Sequence, residues 1–156
     1  MPITVIALSS LILILDQISK FYISSALSLG QSIPVIRDIF HISLVYNTGC
    51  AFGLLKNQKI FFILLSAAAV FYIIRDLFSR GRLYSLSRRA ALGLILGGAA
   101  GNLLDRLRLG YIIDFLDFRV WPVFNLADSA ITIGIFLLGI GFLKETRKRK
   151  TNSIKF

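Results

Sequence analysis

Long apolar runs alternate with short polar connections along the chain. Four runs, at about 3–22, 60–78, 90–109 and 123–143, are long enough to cross a bilayer, which takes roughly 20 apolar residues in a helix. Between the first two runs, the stretch 32–55 is rich in β-branched and aromatic residues, with turn formers at its ends. The pattern predicts an all-α membrane protein with four transmembrane helices. A small extracytoplasmic, β-containing cap is expected at about 23–59.

Composition and charge placement support this interpretation. The 156 residues are 56% hydrophobic, which suits one integral membrane domain covering 1–156. Lys and Arg total 18 against 8 acidic residues, and they concentrate in 75–89 and 144–155, between and after apolar runs. Short basic loops stay in the cytoplasm, so both termini are predicted inside and the 23–59 and 110–122 connections outside. We therefore interpret the positive charge as topological information and expect no nucleic-acid partner.

The first run could also be interpreted as a cleavable signal peptide. It lacks a basic segment before its apolar stretch, and it carries Asp16 and Lys20 within that stretch. These features favour a retained transmembrane helix.

Four aspartates fall in or beside the predicted spans: Asp16, Asp105, Asp114 and Asp128. A charged group at the centre of a transmembrane helix costs about 2.5–3.5 kcal/mol on insertion scales, so each is a candidate functional residue. In the predicted topology all four lie at one depth, beneath the outer membrane surface.

Helical spacing groups these residues with other polar and small ones. Asp16 and Lys20 are four residues apart and share a face, where they could form an ion pair. A second face carries a residue at every fourth position, namely Gly93, Gly97, Gly101 and Asp105, which would let another helix approach closely. A third polar stripe comprises Asn125, Asp128 and Thr132. Each feature also has a structural interpretation: a helix-joining ion pair at Asp16 and Lys20, a salt bridge at Asp105 and Arg106, and a helix cap at Asn125.

The available side chains limit the chemistry of such a site. His41 is the single histidine and lies in the strand-like outer segment, while Cys50 has no base near it in sequence. Cations such as Lys20 would compete with a metal ion, so no metal or cofactor is expected. Paired carboxylates remain, because two close carboxyl groups share a proton and can act together as acid and base. Spacing leaves the pair open among four aspartates: Asp105, Asp114, Asp117 and Asp128.

Five short motifs resemble those of the lipoprotein signal peptidase (signal peptidase II) family, which are membrane aspartyl peptidases. They are DQISK at 16–20, NTGCAFG at 47–53, GNLLDR at 101–106, IIDF at 112–115 and FNLADS at 124–129. The motifs stand in the family's order and extend through nearly the whole chain, which makes the resemblance specific.

The resemblance implies a function and a role for each matched residue. Asp114 and Asp128 match the catalytic pair, whereas Asp117 does not. The substrate-binding or supporting positions are Asp16, Lys20, Asn47, Gly49, Asp105, Arg106 and Asn125. The implied substrate is a bacterial prolipoprotein, cut just before its diacylglyceryl-modified cysteine. The resemblance also implies a location in the bacterial cytoplasmic membrane among lipids, with the active site toward the outer leaflet.

Two other functional classes are less consistent with the pattern. A small transporter or proton-conducting subunit would need polar groups through the full membrane thickness, whereas the predicted inner halves, such as 90–98 and 133–143, are apolar. A noncatalytic membrane scaffold would not need polar motifs from several helices at one depth.

Overall fold

The computed structural model describes residues 2–49 and 58–153. Within these ranges the chain forms four long helices and three strands. In chain order they are α1 (Ile3–Ala26), β1 (Ser32–Ile36), β2 (Phe40–Asn47), α2 (Lys59–Arg80), α3 (Leu86–Arg108), β3 (Ile112–Asp117) and α4 (Leu126–Ser153). Cys50, which the topology prediction assigns to the outer side, lies outside the described residues.

The starts of α3 and α4 differ from those of the apolar runs because capping side chains set them. Helix α3 begins before residue 90, where the Ser85 hydroxyl accepts a hydrogen bond from the Arg88 backbone N–H at 3.3 Å. Helix α4 begins after residue 123, where the Asn125 side chain accepts from the Asp128 backbone N–H at 2.9 Å. Asp128 therefore lies within the first turn of α4, slightly earlier than the sequence pattern suggested.

Three of the helices in the described ranges are long and apolar enough to cross a membrane. They are α1, α2 with its following turn, and the part of α4 up to Lys144. Helix α3 is not among these three helices, although its sequence was expected to form a transmembrane span. Its position explains the difference, because α3 contacts α1, α2 and α4 and so buries much of its surface against protein. A helix in that position can carry glycine and polar residues at lower cost.

The glycine face of α3 lies against α1, as its four-residue spacing predicted. A Cβ atom on Gly97 would lie 2.6 Å from the Ser9 carbonyl oxygen, and one on Gly101 would lie 2.6 Å from Oδ2 of Asp16. On α4, a Cβ atom on Gly134 would lie 2.7 Å from the Ala91 carbonyl oxygen of α3. The absence of side chains at these positions lets three backbones approach closely.

The strands form one antiparallel sheet in the order β1-β2-β3. The predicted cap contributes β1 and β2, and β2 pairs with β3 in a register that sets Val45 opposite Asp114. The hydrophobic pattern predicted only an outer connection at 110–122 and did not indicate β3. This strand is buried along most of its length, so it lacks the alternation of a half-exposed strand.

The packing of α1 on α3 predicts a position-dependent effect of adding one methyl group. Gly97→Ala should destabilise the protein by about 1–3 kcal/mol, because the new Cβ would overlap the α1 backbone. Gly139→Ala is the matched control on α4, where nothing lies within 4 Å of the added atom. Thermal unfolding of the purified variants in detergent measures the difference. Equal melting temperatures for the two variants would contradict this packing.

Candidate active site

A buried lysine joins two of the predicted carboxylates. The Lys20 ammonium lies 2.8 Å from Oδ2 of Asp16 and 2.8 Å from Oδ2 of Asp105, and it donates to the Asn102 side-chain oxygen at 2.9 Å. Lys20 is 2% exposed and Asp16 is 0% exposed. Its three N–H groups thus meet three acceptors, two of which carry charge, as a buried ammonium requires.

The same carboxylates also accept hydrogen bonds from other elements. Oδ1 of Asp16 accepts from the Ala127 backbone N–H at 3.0 Å, at the start of α4. Oδ2 of Asp105 accepts from the Ile113 backbone N–H of β3 at 3.3 Å. Gln17 donates to Oδ1 of Asp105 at 2.9 Å. The charged group therefore connects α1, α3, β3 and α4 at one level.

Asp114 lies on β3 in a different environment. Its oxygens accept from the Asn125 amide at 2.6 Å and from the Asn47 amide at 2.8 Å, and the residue is 1% exposed. Burial, followed by the nearby charge of Asp128, raises the pKa of the Asp114 carboxyl to about 7. Asp114 is thereby poised to hold a proton close to neutral pH.

Asn125 connects Asp114 to Asp128. Its side-chain N–H donates to Asp114, its side-chain oxygen accepts from the Asp128 backbone N–H, and its own backbone N–H lies 3.4 Å from Oδ2 of Asp128. Asn102 donates to Oδ1 of Asp128 at 2.7 Å. The helix cap predicted at Asn125 is present, and the same side chain also orients the two carboxyl groups relative to each other.

Both aspartates line a cavity of about 520 Å³ between α2, α3 and α4. Asn47, Gly49 and Arg106 also line it, while Leu65 and Ile95 provide apolar surface. This volume falls within the usual range for ligand pockets. Two carboxyl groups, amide donors and one guanidinium group thus face a space large enough for a substrate segment.

Arg106 is separated from Asp105 rather than paired with it. Its guanidinium donates to the Gly49 carbonyl oxygen at 3.4 Å and to the Ser66 hydroxyl at 3.5 Å, and lies 5.0 Å from the centre of the Phe62 ring. Asp105 instead contacts Lys20. The predicted salt bridge between Asp105 and Arg106 is therefore wrong. Side chains of adjacent residues in a helix point about 100° apart, so these two reach different partners.

The four candidate aspartates lie in different environments. Asp105 is paired with Lys20 and Asp117 with Arg119, whereas the side chains of Asp114 and Asp128 are hydrogen-bonded to asparagine amides. Among the residues that the structure describes, Asp114 and Asp128 are also the aspartates that line the large cavity.

Two polar residues in this network were not predicted as site residues. Asn102 lies between Lys20 and Asp128, and Gln17 lies between Asp16 and Asp105. Asn102 precedes Asp105 and Arg106 by three and four residues, so helical spacing could have indicated it. Gln17 is adjacent to Asp16 in sequence and carries no comparable spacing signal. His41 lies away from this cavity, with Nδ1 3.0 Å from the Ser32 hydroxyl.

A family model described as Signal peptidase (SPase) II matches residues 8–144. The chain belongs to the signal peptidase II family. Two relatives named lipoprotein signal peptidase illustrate the similarity. The protein of Halothermothrix orenii is 45% identical over 130 residues, covering 82% of this chain and 87% of the relative. That of Moorella thermoacetica is 47% identical over 141 residues, covering 88% and 90%.

Two solved structures of bacterial membrane enzymes share the fold. The first, at 2.3 Å resolution, has a TM-score of 0.85 and 33% identity, and the match covers 92% of this chain and 89% of that one. The second, at 1.9 Å resolution, has a TM-score of 0.81 and 32% identity, with 90% and 93% covered. Membership of the signal peptidase II family makes the chain a hydrolase of the protease class. With its apolar helices, it is a multi-pass membrane protein.

The buried environment of Asp114 predicts a titration near neutral pH. Infrared difference spectra of the purified protein, recorded from about pH 4 to about pH 9, should show loss of a protonated carboxyl signal with a midpoint at about 7. Asp114→Asn should lack this transition, and the control Asp117→Asn should retain it. A midpoint near 4 for Asp114 would contradict the environment described.

Proposed function

We propose that this chain is an aspartyl endopeptidase that removes signal peptides from diacylglyceryl-modified bacterial prolipoproteins. The cut falls just before the lipid-modified cysteine. The observation that carries the proposal is the pair Asp114 and Asp128, which Asn125 joins and which line one cavity in a signal peptidase II family member. The chain acts as a single integral membrane peptidase domain.

The two carboxyl groups share one proton and activate a water molecule. The ionised carboxylate takes a proton from water as its oxygen adds to the scissile carbonyl carbon. The protonated carboxyl group stabilises the developing oxyanion by hydrogen bonding. Collapse of the tetrahedral intermediate breaks the C–N bond, and the leaving nitrogen receives a proton from the pair. This route uses no covalent enzyme intermediate, metal or cofactor.

The surrounding polar residues support the pair in distinct ways. Asn47 and Asn125 hold Asp114, while the network of Asp16, Lys20 and Asp105 fixes the helices on which the site depends. Arg106 and Gly49 line the cavity beside the aspartates. A guanidinium group there can hold a carbonyl oxygen of the substrate backbone, which would orient the scissile bond toward the pair.

The membrane arrangement follows from the substrate. A lipid-anchored peptide approaches from the bilayer, so the cavity must open sideways between helices and toward the outer leaflet. Helix α3 is the fourth transmembrane helix, surrounded by the other three. The basic segments 75–89 and 144–155 face the cytoplasm, as do both termini. The chain resides in the bacterial inner membrane with lipids as neighbours.

The mechanism predicts a graded series of aspartate variants. Asp114→Asn and Asp128→Asn should each reduce cleavage of a diacylglyceryl-modified prolipoprotein by at least about 10³-fold, because an amide cannot replace the carboxyl group in proton transfer. Asp16→Asn should retain part of the turnover, because Lys20 keeps Asp105 as a charged partner. Asp117→Asn should be milder still. Single-turnover cleavage by purified protein measures the series.

Asp38→Asn provides the matched control. Asp38 is exposed and has a positive φ of 60°, which asparagine tolerates, so this variant should cleave at the wild-type rate. EDTA should leave cleavage unchanged. Near-normal cleavage by a folded Asp114 or Asp128 variant, or loss of activity with EDTA and recovery with a divalent metal, would overturn the mechanism.

The proposed orientation predicts the side on which Cys50 can be labelled. An impermeant thiol reagent should modify Cys50 in cells whose inner membrane is intact, once any outer membrane is opened, because residues 23–59 lie outside. A Cys50→Ser variant controls for labelling of other sites. Modification that requires inner-membrane permeabilisation, with the thiol reactive after denaturation, would reverse the topology.

A further inference from the structure

The segment 118–124, called here the outer loop, connects β3 to α4 beside the active-site cavity. Both ends are fixed by a pair of backbone hydrogen bonds, from Leu116 N–H to the Phe124 carbonyl at 2.8 Å and from Phe124 N–H to the Leu116 carbonyl at 3.1 Å. Between them Arg119 has φ 65°, a left-handed conformation that is unfavourable for a residue with a side chain. Something must therefore stabilise this turn.

Asp117 provides that stabilisation. Its Oδ1 accepts from the Arg119 backbone N–H at 2.8 Å, and its Oδ2 accepts from the Arg119 guanidinium at 2.9 Å and the Ser43 hydroxyl at 2.8 Å. Burial alone would raise the pKa of Asp117, but the hydrogen bonds from Ser43 and Arg119 outweigh it and lower the pKa. The ionised carboxylate thus joins the turn to strand β2.

Two residues beyond this turn, Trp121 lies between two cavities. One is the cavity that Asp114 and Asp128 line, and the other has a volume of about 460 Å³ and lies against the first two turns of α4. Trp121, Phe124, Asp128 and Thr132 line both cavities, so they form the boundary between them. The second cavity is therefore adjacent to the catalytic pair.

The second cavity has the surface chemistry of a hydrocarbon site. Beyond the boundary it is lined by Phe118, Ser129 and Ile133, and the Ser129 hydroxyl donates to the Asn125 carbonyl oxygen at 2.9 Å. The Phe118 ring stacks on Phe124 with 5.9 Å between centroids and contacts Phe40 at 4.9 Å, which makes the aromatic wall firm. Ile133 is 53% exposed on the outer side of α4, where bilayer lipid would lie. An alkyl chain entering this space from the bilayer would lie mainly against Phe118, Phe124 and Ile133.

We propose that the second cavity accepts one acyl chain of the substrate's lipid, with Trp121 as the wall between that chain and the scissile peptide. Asp117 is a positioning residue that holds Trp121 through the turn at Arg119. The inference rests on the proposed function. Because cleavage occurs next to the lipid-modified residue, the acyl chains are attached to the substrate only a few bonds from the scissile bond, which lies at the catalytic pair. The apolar space beside Asp128 lies within that reach.

A larger side chain in the second cavity tests whether an acyl chain occupies it. Ile133→Trp should raise KM for a dipalmitoylglyceryl prolipopeptide about tenfold or more, because lost contact with two methylene groups already has an effect of that size. KM for the dioctanoylglyceryl peptide should change much less, and kcat should stay near its wild-type value for both. Ile135→Trp is the matched control, since Ile135 is 58% exposed on the same helix and does not line the described cavities.

A second pair of variants tests the positioning role. Asp117→Ala removes both contacts to Arg119, so it should lower the enzyme's discrimination between the long and short lipids while turnover remains. Arg119→Gly loses the ion pair but keeps the backbone N–H and adopts positive φ readily, so discrimination should persist. Asp117→Val, which also lacks a side-chain acceptor and suits a strand, replaces Asp117→Ala if the latter does not fold. Unchanged discrimination in the folded Asp117 variant, or equal loss in Arg119→Gly, would overturn this role.

These experiments distinguish failure of the acyl-chain site from failure of the proposed peptidase function on which it rests. If the wild-type protein cleaves neither lipopeptide, the proposed function fails. If it cleaves both and Ile133→Trp behaves like Ile135→Trp, the acyl-chain site alone is refuted. A selective KM increase in Ile133→Trp, with the pH dependence of kcat unchanged, supports the site.

Discussion

The buried ammonium of Lys20 is the interaction on which the rest of the site depends. Removing a charge from water is expensive, and the expense is offset here only because three acceptors surround the three N–H groups. Two of those acceptors, Asp16 and Asp105, would themselves be buried charges without Lys20. The group is therefore stable only when α1 and α3 lie in one relative position. The third acceptor, Asn102, extends this constraint to the carboxyl group of Asp128.

The small residues of α3 allow this charged network to form. Gly101 leaves room for the Asp16 carboxylate against the α3 backbone, and Gly97 allows the approach of α1 one turn earlier. A helix with such a surface is poorly apolar, which explains why α3 has weaker membrane character than its neighbours. The other helices cover it and face the lipid in its place. Close packing and buried polarity are thus two consequences of one arrangement.

Regular spacing made part of this arrangement predictable from the sequence. The spacing of Asp16 and Lys20, and the glycine repeat of α3, follow the helical period and agree with the observed contacts. Strand β3 was not predictable in the same way, because its pairing partner β2 is distant in sequence and burial removes its alternation. Asn102 was missed for a different reason. Its spacing from Asp105 indicated a shared helix face, but an uncharged amide there indicated no chemistry until Lys20 and Asp128 were found beside it.

Asp114 and Asp117 show why spacing could not choose the proposed catalytic pair. Both lie on β3, and both are buried carboxyl groups that accept hydrogen bonds from β2. Because they are three positions apart, a strand directs them to opposite faces. Asp114 thereby reaches Asn125 and the cavity, where no cation of the described ranges forms an ion pair with it, and its pKa rises. Asp117 reaches Ser43 and Arg119, stays ionised, and shapes the loop beside the cavity. The two-residue period of a strand applies to these positions only once β3 is recognised as a strand. It then places a carboxyl group suited to proton transfer on one face and a carboxyl group that binds a backbone N–H on the other.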